Sequence, residues 1–188
     1  WVIERHNRRD TMTPRILAPI SLIAVALSGC ATMDDTGSDV LGSADVTRSD
    51  GTPAGTVRLM ESAGELVVTG TLSGLPAGEH GFHLHTTGRC DAPDFQSAGG
   101  HLNPYDRDHG KLDPQGKHLG DLDNITVPAS GMVTISQSVG MNTNMDIARI
   151  FDADGTSVMV HSGPDDYRTD PSGDAGSRIA CGVMRATG

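Results

Sequence analysis

A histidine-rich segment between Gly81 and Asp121 constrains this chain more than any other feature. His83 and His85 lie two residues apart in the run Gly-Phe-His-Leu-His, so in a β-strand both imidazoles project from the same face and can converge on one ion. The residues that follow are crowded with Gly, Pro, Asp and Asn, have neither a strand nor a helix period, and predict a long loop. A loop of this kind needs something to fold around, and a metal ion would provide it.

The loop carries His101, His109 and His118, and Asp121 follows the last of them by three residues. Three imidazoles and one carboxylate suit a closed tetrahedral zinc site. The alternative is a polar loop with solvated histidines, which leaves both its length and its concentration of imidazole unexplained. Together with His83, His85 and the later His161, the chain offers too many ligands for one tetrahedral ion and about the right number for two.

Several motifs make the chain resemble the copper-zinc superoxide dismutases, in particular the exported, lipoprotein-type members from bacteria. The motifs are Gly-Phe-His-Leu-His from Gly81, Ser-Ala-Gly-Gly-His-Leu-Asn-Pro from Ser97, His-Leu-Gly-Asp-Leu from His118, Val160-His161, and Ala-Gly-Ser-Arg-Ile-Ala-Cys-Gly-Val from Ala175. The resemblance extends from about Ala44 to the C terminus. It implies an oxidoreductase that converts superoxide to dioxygen and hydrogen peroxide by alternate reduction and reoxidation of copper.

Short segments rich in β-branched residues alternate with turn residues, which predicts an all-β sandwich or barrel. These segments are 56–60, 65–72, 81–85, 124–127, 131–136, 157–161 and 179–184. No stretch shows a sustained helical period. The resemblance implies an eight-stranded Greek-key β-barrel with long metal-binding and active-site loops.

The resemblance also assigns one copper and one zinc ion per subunit. The copper ligands would be His83, His85, His101 and His161, a set of four nitrogen atoms that suits Cu(II). The zinc ligands would be His101, His109, His118 and Asp121. His101 would therefore serve both ions, one with each ring nitrogen.

Three further roles follow from the resemblance. Arg178 would guide and dock superoxide next to copper, and His101 would supply one proton to the product. Asp165 would hydrogen-bond the copper ligand His83 and the zinc ligand His109. The alternative for Arg178 is a surface arginine in a salt bridge, and the alternative for Asp165 is a solvated aspartate.

The N-terminal part of the chain has the pattern of an export signal. We interpret Met12 as the start, and the predominantly apolar run 16–27 is long enough for a signal peptide and too short to span a membrane. Residues 1–29 would thus be an upstream extension plus a signal peptide. Leu-Ser-Gly-Cys at 27–30 resembles a bacterial lipobox, so Cys30 would be lipidated, with ordinary cleavage and a free Cys30 as the alternative.

Residues 30–43 would form the lipidated cysteine and a flexible tether, ahead of a superoxide dismutase domain at 44–188. The predicted location is the periplasmic side of the bacterial envelope, which the enzyme would protect from superoxide. Ala31 after Cys30 favours the outer membrane, by resemblance to lipoprotein sorting patterns. An oxidising compartment permits disulfides, and with Cys30 lipidated the remaining pair, Cys90 and Cys181, is expected to bridge.

The net negative charge of the chain would repel its expected anionic substrate. Removing residues 1–29 takes away four basic and two acidic residues, leaving 10 basic against 22 acidic and a formal net charge of −12. Nucleic acid is therefore excluded as a partner, and an anionic substrate requires a local positive focus such as Arg178. Residues 162–177, with Arg168 against four acidic residues, are less favourable to electrostatic steering than the family pattern. Asp123 stands where Gly or Pro is usual in the family.

Two other functions use the same ligands. A metal-binding module without catalysis would keep the barrel and lack a copper histidine or the arginine. A periplasmic copper or zinc buffer would not need Arg178. His80 is interpreted as a structural, hydrogen-bonded histidine, and the sequence leaves monomer and homodimer both open.

Overall fold

The computed structural model of the protein describes residues 1–2, 39–141 and 143–188. The predicted start at Met12, the signal peptide, the lipidated Cys30 and the tether up to residue 38 lie outside the described residues. Among the described helices, none combines the length and the apolar character that a membrane span requires.

Most of the described chain from residue 39 onward is β-structure, as the sequence predicts. The strands are β1 (Val40–Arg48), β2 (Pro53–Ser62), β3 (Glu65–Leu72), β4 (Gly78–His80), β5 (Phe82–His85), β6 (Ile125–Val127), β7 (Val133–Met141), β8 (Thr156–His161) and β9 (Arg178–Ala186). One α-helix, α1 (Asn144–Ile150), and a short 3-10 helix (Gln96–Ala98) complete the described elements.

Seven strands form one curled antiparallel sheet in the order β5-β8-β9-β1-β2-β3-β7, and β4 pairs with β6 in a second sheet. β3 and β7 are neighbours although three strands separate them along the chain, and β5 and β8 are neighbours although two strands separate them. The all-β prediction is confirmed. The described residues form nine strands rather than eight, because Gly81 divides β4 from β5.

Gly81 is the point at which the chain passes from one sheet to the other. β4 pairs with β6, β5 pairs with β8, and the Gly81 backbone bonds to Gly163 and His161 at 2.8 and 2.9 Å. A Cβ at Gly81 would lie 2.9 Å from the Cβ of Ala175 and 3.0 Å from Cε1 of His83. Glycine is therefore required by close approach, directly before the first metal-ligand candidate.

The strands form because their apolar residues alternate with polar ones and face a common core. In β3, Leu66 and Val68 are fully buried, while Glu65 on the other face is exposed. The β2-β3 hairpin closes through Ala63 and Gly64, both with positive φ, the conformation of a type I′ turn. The strands therefore enclose the apolar core, and the candidate site is formed by loops and strand ends.

Two features differ from the sequence analysis. β1 begins at Val40, so residues 40–43, predicted as part of the tether, belong to the barrel. Gly42 and Ser43 look like linker residues locally, yet both pair with β2 and β9, and this long-range pairing outweighs local composition. Helix α1 was not predicted because its seven residues are too few to show a helical period.

Candidate metal centre

The residues predicted to bind copper lie together in the structure. One ligand atom from each lies within 4.8 Å of those from the others, and all four side chains are buried: His83, His85, His101 and His161. Below, these residues are called the four-histidine group. His83 and His85 project from β5 on the face opposite Phe82 and Leu84, which are fully buried in the core.

Hydrogen bonds fix the orientation of three of these rings. His83 Nε2 lies 2.7 Å from Asp165 Oδ2, His85 Nδ1 lies 2.9 Å from the Gly99 carbonyl, and His161 Nδ1 lies 3.2 Å from the Gly176 carbonyl. Each ring therefore uses one nitrogen as a donor to an oxygen acceptor and keeps the other available.

The available nitrogens face one another. His83 Nδ1 and His101 Nε2 are buried without a hydrogen-bond partner, and His85 Nε2 lies 3.4 Å from His161 Nε2. Buried imidazole nitrogens without partners are costly in a protein interior, and a metal ion between them would satisfy all of them at once. The four-histidine group thus fits a metal with a preference for nitrogen ligands.

The residues predicted to bind zinc also lie together, within the same distance limit: His101, His109, His118 and Asp121. We call them the aspartate group. Nδ1 of each histidine approaches the carboxylate of Asp121, at 2.8 Å for His101, 3.0 Å for His118 and 3.2 Å for His109. The Asp121 carboxylate is held in turn by the backbone N–H groups of Gly110 and His118, at 2.8 and 3.0 Å.

His101 belongs to both groups. Its Nδ1 faces Asp121 at 2.8 Å, and its Nε2 is the unpartnered nitrogen of the four-histidine group. One imidazole can therefore join two ions, one at each nitrogen. Two ligand groups that share one ring could therefore hold a pair of metal ions.

Burial keeps three histidines of the four-histidine group, His85, His101 and His161, uncharged. It lowers the pKa of His101 to about 4 and that of His161 to about 3, and it lowers the pKa of His85 well below its usual value. A neutral imidazole is the form that binds metal. These rings are therefore ready to bind metal at neutral pH.

His109 behaves differently. Burial acts to lower its pKa, but the carboxylates of Asp121 and Asp165 outweigh burial and raise the pKa to about 9. For Asp121, burial acts to raise the pKa, and the hydrogen bonds from its histidine partners lower it strongly. A metal ion in the aspartate group therefore has to displace a proton from His109 and finds a carboxylate already ionised.

Asp165 connects the two groups. Its Oδ2 accepts from His83 at 2.7 Å, and its Oδ1 accepts from His109 Nε2 at 3.0 Å. The backbone of Asp165 is clamped by Asn124, whose side-chain amide donates to the Asp165 carbonyl and accepts from its N–H, both at 2.9 Å. Asp165 thus holds one ring of each group in a fixed orientation.

Arg178 begins β9 and is tied to the loop that follows β5. Its Nη1 donates to the carbonyl of Phe95 and its Nη2 to that of Gly99, both at 2.6 Å. The half-buried guanidinium lines a cavity of about 710 Å³ together with His85, His101 and His161. A small anion in this cavity would meet a fixed positive charge beside the four-histidine group.

His80 is buried, and its nitrogens contact the carbonyls of His161 and Pro76 at 2.8 and 2.9 Å. The interpretation of His80 as a hydrogen-bonded structural histidine is confirmed. A disulfide joins Cys90 to Cys181, as predicted, and it connects the loop after β5 to β9.

Sequence reasoning missed two residues that support the site. Asn124 clamps Asp165, and its N–H also donates to the hydroxyl of Tyr167 at 2.9 Å. Tyr167 is held in turn by its own N–H, which donates to Asp165 Oδ1 at 2.6 Å. Neither residue has a ligand-type side chain, and their partners lie 41 or more residues away, apart from the local Asp165–Tyr167 contact. No local pattern could have identified them.

The chain has clear relatives among known proteins. Residues 53–184 match the family model for copper/zinc superoxide dismutase. A Cu-Zn superoxide dismutase of Aquifex aeolicus is 38% identical over 148 residues, which cover 76% of this chain and 86% of that protein. A Cu-Zn superoxide dismutase of Caulobacter vibrioides is 40% identical over 144 residues, which cover 74% and 83% of the two chains.

Solved structures of related proteins superpose on this chain. A double mutant of a superoxide dismutase-like protein from Bacillus subtilis superposes with a TM-score of 0.72 at 36% identity, covering 77% of this chain and 98% of that one. The Cu/Zn superoxide dismutase of Brucella abortus superposes with a TM-score of 0.61 at 30% identity, covering 76% and 98%.

The fold and the paired ligand groups define a β-barrel protein built for two metal ions. The chain belongs to the copper/zinc superoxide dismutase family, which confirms the resemblance seen in its motifs. Enzymes of this family are oxidoreductases that use copper and zinc, and the two ligand groups of this chain could hold such ions.

Proposed function

We propose that this protein is a superoxide dismutase that converts two superoxide anions and two protons into dioxygen and hydrogen peroxide. The observation that carries the proposal is His101, which is shared by two ligand groups and lines the same cavity as Arg178. The four-histidine group would hold copper, which when bound supplies one-electron chemistry between Cu(II) and Cu(I). The aspartate group would hold zinc.

Arg178 would bind the substrate anion. Two backbone carbonyls hold the guanidinium in place, so its position in the cavity is fixed before an anion arrives. Burial lowers the pKa of Arg178, yet an arginine remains charged at any physiological pH. The molecule as a whole is acidic, so this local charge has to provide the attraction.

His101 would carry a proton to the product. Its Nε2 is free of hydrogen bonds, faces the other histidines and belongs to a ring that lines the cavity. The proton would occupy Nε2 only while that nitrogen is not bound to copper, and the contact of Nδ1 with Asp121 at 2.8 Å would keep the ring in its orientation meanwhile. A neutral imidazole nitrogen can accept a proton and pass it on.

The test is superoxide consumption by the purified protein reconstituted with copper and zinc, beside the same protein reconstituted with zinc alone. We expect fast consumption only when copper is present. Two bound ions without copper-dependent consumption would contradict the proposal and favour a metal-binding module or a metal buffer. Metal content is measured in the same samples, so failed reconstitution is distinguished from absent activity.

We also propose that the protein is exported, anchored through lipid on Cys30 and active on the periplasmic side of the envelope, which it protects from superoxide. The signal-like run and the Leu-Ser-Gly-Cys motif at 27–30 support this location, and so does the Cys90–Cys181 disulfide, since disulfides persist in oxidising compartments. Mass spectrometry of the N-terminal peptide from membranes should find acyl chains on Cys30. An unmodified Cys30 would contradict the anchor. So would a Cys30→Ala variant that remains in the membrane fraction and still carries the lipid label.

A further inference from the structure

The cavity beside the four-histidine group contains a negative charge that the proposed reaction does not explain. Among the described residues that line it, Asp94 provides the only carboxylate, and Arg178 is the only lysine or arginine. The other polar lining residues outside the metal ligands are uncharged, for example Gln96, Asn103 and Ser177. The anion-binding cavity therefore carries one fixed positive and one negative side chain.

The position of Asp94 is fixed by its neighbours. Phe95 is almost fully buried against Ala98, Met159 and Cys181, and its carbonyl accepts from Arg178 at 2.6 Å. Asp94 directly precedes this residue, so the carboxylate is attached to the peptide segment that holds the guanidinium. The Oδ1 atom of Asp94 also accepts from the N–H of Gln96 at 3.2 Å. An exposed carboxylate is thereby kept on the segment that holds the docking arginine, and both side chains line the same cavity.

The charge of Asp94 reaches Arg178. Burial lowers the pKa of Arg178, and the Coulombic attraction of Asp94 acts in the opposite direction. The same field acts with opposite sign on an incoming anion, because a carboxylate that attracts the guanidinium repels superoxide. The loop between β8 and β9 adds no lysine or arginine to the lining of the cavity, so nothing there offsets the repulsion.

We propose that Asp94 weakens anion binding at Arg178 and limits the rate at which superoxide reaches the site. The identity of the anion rests on the proposed function. The presence of an opposing carboxylate beside Arg178 rests on the cavity itself.

The experiment measures azide binding to the copper- and zinc-loaded protein by optical titration of the Cu(II) absorption. The variant is Asp94→Asn, which removes the charge and keeps an oxygen acceptor for the Gln96 N–H. We expect azide to bind about threefold more tightly to Asp94→Asn at about 10 mM ionic strength, and the difference to disappear at about 500 mM salt. The second-order rate with superoxide should rise by a similar factor at low salt.

The matched control is Asp91→Asn, which removes one charge from the same loop at a residue that does not line the cavity. Asp91 is exposed and forms an ion pair with Arg89. Its replacement changes the net charge of the protein by the same amount as Asp94→Asn. The proposal is overturned if Asp94→Asn binds azide like the unchanged protein, or if Asp91→Asn produces the same change. Superoxide consumption by the unchanged protein is measured separately: azide affinities that respond to Asp94 without any superoxide consumption would overturn the proposed function and support the role of Asp94.

Discussion

At the scale of single residues, the site depends on groups that bind no metal themselves. Asp165 accepts hydrogen bonds from one histidine of each ligand group, at 2.7 and 3.0 Å, and it is buried. Both bonds need an acceptor, because each ring points its second nitrogen at a ligand position. The orientation of two metal sites is thus tied to one carboxylate.

Replacing Asp165 with Asn should weaken metal binding. An amide has one acceptor oxygen, so its NH2 group would face the N–H of either His83 or His109. We expect zinc affinity to fall by about 10- to 100-fold, as measured by competition with a chelator. Asp166→Asn is the control, because Asp166 is exposed and its side chain bonds only to Arg168 and Thr169 of its own turn. Equal zinc affinities for the two variants would contradict the role of Asp165.

Replacing Arg178 with Ala should lower kcat/KM for superoxide by at least about tenfold and make the rate less sensitive to salt. Arg178 contacts carbonyl groups and none of the ligand atoms, so copper and zinc contents should not change. Arg178→Lys keeps the charge, yet a single ammonium group cannot reproduce the two-pronged contact with Phe95 and Gly99, and its rate should be intermediate. Unchanged kinetics in Arg178→Ala would exclude the docking role.

At the scale of elements, the site lies where two long loops meet the ends of strands. β5 provides His83 and His85, β8 ends at His161, and β9 begins at Arg178. The loop after β5 carries the remaining ligands, and the loop between β8 and β9 carries Asp165. The strands fix the positions of these four residues. The loops depend on long-range contacts to bring their own residues to the site.

The Cys90–Cys181 disulfide is the strongest of these contacts. It joins residues 91 apart in the sequence and fixes the start of the loop whose carbonyls hold Arg178. Closing a loop of this length removes about 4 to 5 kcal/mol of unfolded-state entropy. The double variant Cys90→Ser, Cys181→Ser should lose about that much unfolding free energy, measured by denaturant titration of the metal-free protein.

The azide affinity of the same double variant should also fall, because the loop no longer holds the guanidinium. Since neither cysteine is among the ligand candidates, metal contents at saturating copper and zinc should stay the same. A fully stable double variant would show that the loop is held by packing of Phe95 against Met159 and Ala98 instead.

At the scale of the whole molecule, the buried titratable groups should give the metal-free protein a stability maximum near pH 6.5. The pKa values of His101 and His161 lie below the unfolded value of 6.5, at about 4 and 3. Below pH 6.5 the unfolded chain therefore binds protons that the folded chain does not, and stability falls with falling pH by about 1.4 kcal/mol per pH unit for each such histidine.

On the alkaline side the sign reverses. The pKa of His109 is raised to about 9, so its stabilising contribution is complete below pH 6.5 and is lost as the pH rises through 9. Denaturant titrations of the metal-free protein at acidic, near-neutral and alkaline pH test this profile. Stability that rises steadily from pH 6.5 to 9 would contradict the raised pKa of His109.

Much of this molecule could be predicted from its sequence. The alternation in 65–72 predicts β3 with the observed bounds, and the motifs around His83, His101 and His118 indicate two metal ions. These features are local, because strand periodicity and ligand type are properties of neighbouring residues. Residues 40–43 have the composition of a linker and were therefore predicted as tether, although they begin β1.

The sequence by itself determined the ligand types, the β-class of the fold and the membership of the family. Only the tertiary structure decided which nitrogen of His101 faces which group, that Asn124 clamps Asp165, and that Asp94 shares a cavity with Arg178. The reason is physical: ligand chemistry belongs to a side chain, whereas orientation and electrostatic field arise between residues that are distant in the chain and meet only when the barrel closes.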